Sequence, residues 1–133
     1  MEKCMNEVSK QMKEEGMFDR PHLIPTASVI ISDKDRVTLS LYKDECAITT
    51  HLIVYNITKM CQYNELMQCL MITEELCHLF WNIKSEFDVN FKVYEILKRI
   101  YPKLKLFELY KKETMIAEGA KEGKTIPLEY FDQ

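Results

Sequence analysis

The segment from Asn64 to Asn82 constrains the fold of this chain more than any other part of the sequence. It contains neither Gly nor Pro, and nearly every side of a helix drawn from it is apolar. A helix that is apolar all round is typical of a buried position in a protein core. Asn64 suits the N-cap position because its side chain can accept a hydrogen bond from the first turn. We therefore expect a central buried helix from Asn64 to about Asn82.

Three segments before this helix have the composition of β-strands: residues 27–32, 36–43 and 46–55. The second alternates apolar and polar side chains, and the other two are rich in β-branched residues. Short charged turns at residues 33–35 and 43–45 favour antiparallel meander pairing for at least the first two strands. These segments predict a small three-stranded, mostly antiparallel sheet.

Helical patterns lie on both sides of the strand segments. Residues 2–15 carry apolar side chains at helical spacing, and Gly16 is a suitable C-terminal stop. Residues 88–101 form another helical pattern that Pro102 ends, and a last helical stretch spans residues 104–118. The order predicts an α+β fold: an N-terminal helix, the sheet, then two or three helices packed on one face of it.

Length and composition are those of a globular domain. The chain has 133 residues, of which 47% are apolar and 29% are charged, and this suffices for one hydrophobic core. We expect a single α+β domain at residues 1–120 and a C-terminal tail at residues 121–133.

Charge and cysteine usage narrow the class of partner. The net charge is −3 with acids and bases mixed along the chain, so no basic footprint indicates nucleic acid or a membrane surface. The N-terminus lacks the pattern of a secretory signal, and no apolar run approaches the ~18 residues that a transmembrane helix needs. The five cysteines form no Cys-x-x-Cys pair, which indicates reduced thiols. We expect a cytoplasmic protein with a protein or peptide partner.

Three polar side chains interrupt the apolar helix: Glu74, Glu75 and His78. Glu74 and His78 are four residues apart and therefore share a face, while Glu75 lies about 100° further round. Two ligands at this spacing, with a carboxylate one residue after the first, are typical of the His-Glu-x-x-His helix of zinc peptidases. In those enzymes both ligands hold one ion and the Glu activates a water. The simpler interpretation is a buried Glu74–His78 ion pair with Glu75 at the solvent edge.

The segment resembles the active helix of the zincin-like metallopeptidases, specifically the compact gluzincin type that includes peptidases acting on phage-type repressors. In that group a helix, a small sheet and the motif helix come in the same order. Residues 86–91, which read Glu-Phe-Asp-Val-Asn-Phe, are similar to the group's Glu-x-Glu-Ala-Asn-x-Phe region. The resemblance covers residues 27–102. The motif here reads Glu-Glu-x-x-His, because Glu74 stands where the family has its first His.

The resemblance implies a role for each of these residues. Glu74 and His78 would hold a zinc ion, with Asp88 as the third ligand and Glu75 as the general base. Two carboxylates and one histidine also suit a harder ion than zinc.

Two other carboxylates, Glu86 and Glu95, are substitutes for Asp88 in this interpretation. The resemblance implies a metal-dependent hydrolase of protein or peptide substrates, a zinc-dependent peptidase if the site is active. The alternative is a non-catalytic interaction module, of regulatory or inhibitory type, on a small α+β scaffold.

Overall fold

The computed structural model describes residues 2–16, 26–29, 36–42 and 49–133, and in the strands it describes the side chains of Tyr55 and Asn56. The predicted turns at residues 33–35 and 43–45 lie outside the described residues. The described elements, in chain order, are α1 Glu2–Glu14, β1 Thr26–Val29, β2 Arg36–Tyr42, β3 Thr49–Asn56, α2 Ile57–Met60, α3 Glu65–Phe80, α4 Glu86–Ile100, α5 Leu106–Leu109, α6 Lys112–Lys121 and a 3-10 helix Leu128–Asp132.

The described strands pair around β3. β2 runs antiparallel to β3, from Arg36 opposite Tyr55 to Tyr42 opposite Thr49. β1 runs parallel to β3 over four residue pairs. The predicted meander pairing of the first two strands is wrong, because β3 lies between β1 and β2. The charged residues 33–35 were therefore a poor guide to pairing, because the strands before and after them are not neighbours, whereas the strands before and after residues 43–45 do pair antiparallel.

The predicted fold class, α+β with helices on one face of a small three-stranded and mostly antiparallel sheet, is wrong. The described part of the chain is predominantly helical. α3 packs along α4, α1 packs against both, and α6 packs against α4. The strands contact chiefly one another, and β3 meets the short helix α2 that follows it. Helices that bury their apolar faces against each other need no sheet as a packing partner, which explains the difference.

The prediction of α3 is confirmed, including its start. Asn64 adopts an extended conformation, and its side-chain oxygen accepts a hydrogen bond from the Met67 amide at 2.9 Å. The expected burial on all sides is wrong, because only one side of α3 is fully buried. That side carries Cys69, Leu70, Ile72, Thr73, Leu76 and Cys77. The other side is half-buried and carries the polar residues of interest.

α1 packs its apolar face against α3 and α4, and carboxylates at its C-terminal end form hydrogen bonds with both neighbours. Its helical pattern and its stop at Gly16, which has a φ of 72°, are confirmed. The carboxylate of Glu15 accepts hydrogen bonds from Trp81 at 2.6 Å and from Lys92 at 2.8 Å. Burial opposes ionisation of Glu15, but these two donors lower its pKa below the ordinary value. The guanidinium group of Arg99 on α4 likewise donates a hydrogen bond to the carboxylate of Glu14.

The predicted helical stretch at residues 104–118 is two helices, α5 and α6. The chain between them is extended at Tyr110. The predicted domain boundary at residue 120 falls within α6, and the residues after it contact the helices. Tyr130 packs against the rings of Phe91 and Tyr94, with centroid distances of 5.3 and 5.8 Å.

Two observations concern the environment of the chain. None of the helices in the described ranges combines the length and the apolar character needed to cross a membrane. The four cysteines among the described residues are free thiols. The cytoplasmic location stays a prediction.

Candidate functional site

A backbone carbonyl group fixes the ring of His78 on the last turn of α3. The Nδ1 atom of His78 is 2.5 Å from the carbonyl oxygen of Ile83. Since a carbonyl oxygen can only accept, Nδ1 carries the proton and donates it. In the neutral imidazole the lone pair is then on Nε2, which lies 3.5 Å from Oε1 of Glu86. Orientation of an imidazole by a hydrogen bond to its second nitrogen is typical of metal-binding histidines.

Two carboxylates lie beside this imidazole. Glu74 is one helical turn before His78, so their side chains share one face of α3. Glu86 is the first residue of α4. One ligand atom from each of Glu74, His78 and Glu86 lies within 4.8 Å of the other two. The structure therefore brings together one imidazole and two carboxylates from two helices.

The connection between the helices creates this arrangement. After α3 ends, Asn82 adopts a left-handed conformation with a φ of 51°, which asparagine tolerates better than most residues. Ser85 then caps α4, because its hydroxyl oxygen accepts a hydrogen bond from the Asp88 amide at 3.0 Å. The short turn places the first residue of α4 beside the last turn of α3.

The three groups are somewhat further apart than the ligands of one tetrahedral ion. Ligand atoms at about 2.1 Å from such an ion lie about 3.4 Å apart, so a pair at the 4.8 Å limit has to approach by about 1.4 Å. The side chain of Glu86 is 61% exposed, whereas that of His78 is 22% exposed. The exposed Glu86 side chain is therefore the one of these two that can move most easily toward a shared ion.

Asp88, the third ligand that the resemblance implies, is not brought to this group. Its carboxylate accepts a hydrogen bond from Lys124 at 2.6 Å. Asp88 is two residues after Glu86 and hence about 200° round α4, on the opposite side. Of the two substitutes, Glu86 joins the group. Glu95 lies further along α4, where it pairs with Lys92 at 3.5 Å.

Glu75 lines a cavity on the same helix. The cavity has a volume of about 100 Å³, and Glu74 lines it too. Tyr55, at the end of β3, forms part of its wall and is 2% exposed. The hydroxyl group of Tyr55 has no hydrogen-bond partner among the described residues. Burial raises the pKa of Tyr55 above its ordinary value, and the carboxylate of Glu75 raises it further.

A second tyrosine hydroxyl without a partner in the described part of the chain belongs to Tyr110. Burial raises the pKa of Tyr110, and the carboxylate of Glu74 adds to the effect. Tyr55 and Tyr110 were not predicted as site residues from the sequence, because aromatic residues are more often part of the core. A buried tyrosine normally has a hydrogen-bond partner for its hydroxyl group. A tyrosine at a core position of the sequence therefore indicates a polar group nearby.

Comparison with protein-family models finds no matching family, and no curated protein and no solved structure matches the chain. The resemblance to zincin-like metallopeptidases therefore stays a prediction.

Proposed function

We propose that this protein binds one divalent metal ion through Glu74, His78 and Glu86. The observation that carries the proposal is the hydrogen bond from Nδ1 of His78 to the Ile83 carbonyl group. It leaves the lone pair of the neutral ring on Nε2, beside the carboxylate of Glu86. A protonated ring would instead donate from Nε2 to Glu86, and the metal-uptake measurement below distinguishes the two arrangements.

The donor set favours borderline and hard divalent ions. Imidazole nitrogen suits Zn²⁺, and carboxylate oxygens suit both Zn²⁺ and Mn²⁺. Three protein ligands leave at least one coordination position open, which is typical of catalytic rather than structural zinc sites.

Protein purified without a tag and freed of metal by a chelator is expected to take up one Zn²⁺ or Mn²⁺ per chain. Equilibrium dialysis followed by elemental analysis measures the stoichiometry. The His78→Ala variant is expected to bind no stoichiometric ion, because two carboxylates alone form a weak site. Absence of uptake by the wild type, or equal uptake by the variant, would overturn the proposal.

A second candidate function is metal-dependent hydrolysis of a peptide bond. The observation that favours it is the position of Glu75 next to Glu74, with both side chains lining one cavity. A divalent ion held by Glu74, His78 and Glu86 would supply Lewis acidity. Glu75 is the carboxylate that could accept a proton from an attacking water.

The metal-loaded protein is expected to cleave a mixture of unstructured peptides, with cleavage followed by mass spectrometry. Glu75→Gln is expected to lower the rate by about 100-fold or more while the metal stoichiometry is unchanged, since loss of a general base costs that much. A wild-type protein that binds the ion but cleaves nothing would contradict hydrolysis. That result would favour the non-catalytic interaction module.

A further inference from the structure

The cavity beside Glu75 is a second feature of the molecule that points to a ligand. Its volume of about 100 Å³ is several times the space that one water molecule needs. It lies between β3, the short helix α2 and the half-buried side of α3. The residues that line it combine carboxylates, phenol rings and thioethers.

The hydroxyl group of Tyr55 is the independent sign of a missing partner. Tyr55 is 2% exposed, and no described residue satisfies its hydroxyl group. A buried polar group without a hydrogen bond costs about 1–3 kcal/mol, so such groups are rare in proteins. A bound molecule with a hydrogen-bond donor would remove this cost.

The charges around the cavity indicate whether the hydrogen-bond donor of a bound molecule would be neutral or charged. Glu74 and Glu75 contribute two carboxylates to the wall, and Lys59 contributes one ammonium group. Lys59 is exposed, so its charge is better screened by solvent than those of the half-buried Glu74 and Glu75. Among the described residues of the wall, negative charge therefore exceeds positive charge, which favours a cation.

The apolar residues of the cavity wall indicate that the ligand also has an apolar part. Met60 is buried, Met71 is half-buried, and Tyr63 lies at the exposed side of the cavity. Methionine side chains adapt to the shape of an aliphatic chain, and tyrosine rings attract cations. An inorganic ion would leave these surfaces without a contact.

We infer that this cavity binds a primary ammonium group on a short aliphatic chain, with Tyr55 as hydrogen-bond acceptor and Glu75 as counter-ion. The same chemistry occurs in a free alkylamine and at the end of a lysine side chain. The inference does not depend on the metal site, although the two sites share Glu74.

The test uses chelator-treated protein and n-butylammonium, with n-butyrate and n-butanol as matched probes of similar size. Isothermal titration calorimetry is expected to show saturable binding of n-butylammonium at one site. Binding of n-butyrate and n-butanol is expected to be at least about tenfold weaker, because they lack the cation. Equal binding of all three probes, or no saturable binding of n-butylammonium, would overturn the inference.

Tyr55→Phe separates this role from a structural one. The variant is expected to be as stable as the wild type or more stable, since it removes a buried hydroxyl group that has no described partner. Its affinity for n-butylammonium is expected to fall by about three- to tenfold. Tyr110→Phe, which removes a second buried tyrosine hydroxyl group without a described partner, away from the cavity wall, is the matched control and should keep the affinity. Equal affinity in Tyr55→Phe and wild type would contradict the role of the hydroxyl group.

A third titration distinguishes the two sources of the ammonium group. A lysine flanked by blocked termini is expected to bind at least as well as n-butylammonium if the cavity receives a peptide side chain. Tighter binding of n-butylammonium would assign the cavity to free amines. Because all measurements use metal-free protein, their outcome is independent of whether Glu86 and His78 hold an ion.

Discussion

Replacing Glu86 by Gln is expected to weaken Zn²⁺ binding by about 100-fold, because the variant loses one of the three proposed ligands. Glu86 is 61% exposed, so the substitution should leave the fold of the metal-free protein intact. Affinity can be measured by competition with a chromophoric chelator, and the melting temperature of the metal-free variant checks its fold.

Asp88→Asn is the matched control for this substitution. Asp88 lies in the same first turn of α4, but its carboxylate pairs with Lys124 rather than with His78. The control is expected to keep the Zn²⁺ affinity within about threefold, since it leaves all three proposed ligands in place. Loss of affinity in Asp88→Asn together with wild-type affinity in Glu86→Gln would restore Asp88 as the third ligand.

Gly119→Ala is expected to destabilise the protein by about 3 kcal/mol, although alanine favours helices. A Cβ atom on Gly119 would lie 2.7 Å from the carbonyl oxygen of Lys124 and 2.8 Å from Cε2 of Phe87. The first contact cannot relax by a change of rotamer, because the Lys124 amide donates a hydrogen bond back to the Gly119 carbonyl group at 2.8 Å. Urea denaturation measures the loss.

Gly16→Ala serves as the comparison. A Cβ atom at Gly16 would meet nothing within 4 Å, but the residue has a φ of 72°. Its expected loss is about 1 kcal/mol, from backbone strain alone. Equal stabilities of the two variants would show that α6 and α4 do not approach as closely as the Gly119 contacts indicate.

The helix that carries the candidate site could be predicted because its signals are local. Asn64 is a good cap, and the absence of Gly and Pro until Asn82 leaves one continuous helix. The stacking of Glu74 and His78 then follows from helical geometry.

The sequence left the acidic residue beside Glu74 and His78 open between Asp88, which it favoured, and the substitutes Glu86 and Glu95, because the choice depends on the rotation of α4 about its own axis. Glu86 and Asp88 face opposite sides of the first turn, so half a turn of α4 would exchange them. The left-handed conformation of Asn82 and the cap at Ser85 set that rotation. Residue types alone determine neither the backbone conformation of Asn82 nor the direction in which α4 runs from it.

The fold class could not be predicted for a similar reason. The alternation and the β-branched residues are properties of single segments, whereas the choice of packing partner is a property of whole surfaces. α1, α3 and α4 bury their apolar faces against each other. The strand that separates β1 from β2 is the last of the three described strands in sequence, and no turn signal identifies such an order.

Trp81, the sole tryptophan of the chain, is a built-in optical reporter. Its indole N–H group is bonded to Glu15 after α1, its ring lies 4.6 Å from the Lys92 ammonium group, and it follows His78 by three residues. Indole emission responds to nearby charge and to solvent. The fluorescence of the unlabelled protein can therefore follow, in one signal, both the release of α1 from the helices and the binding of the proposed ion at the end of α3.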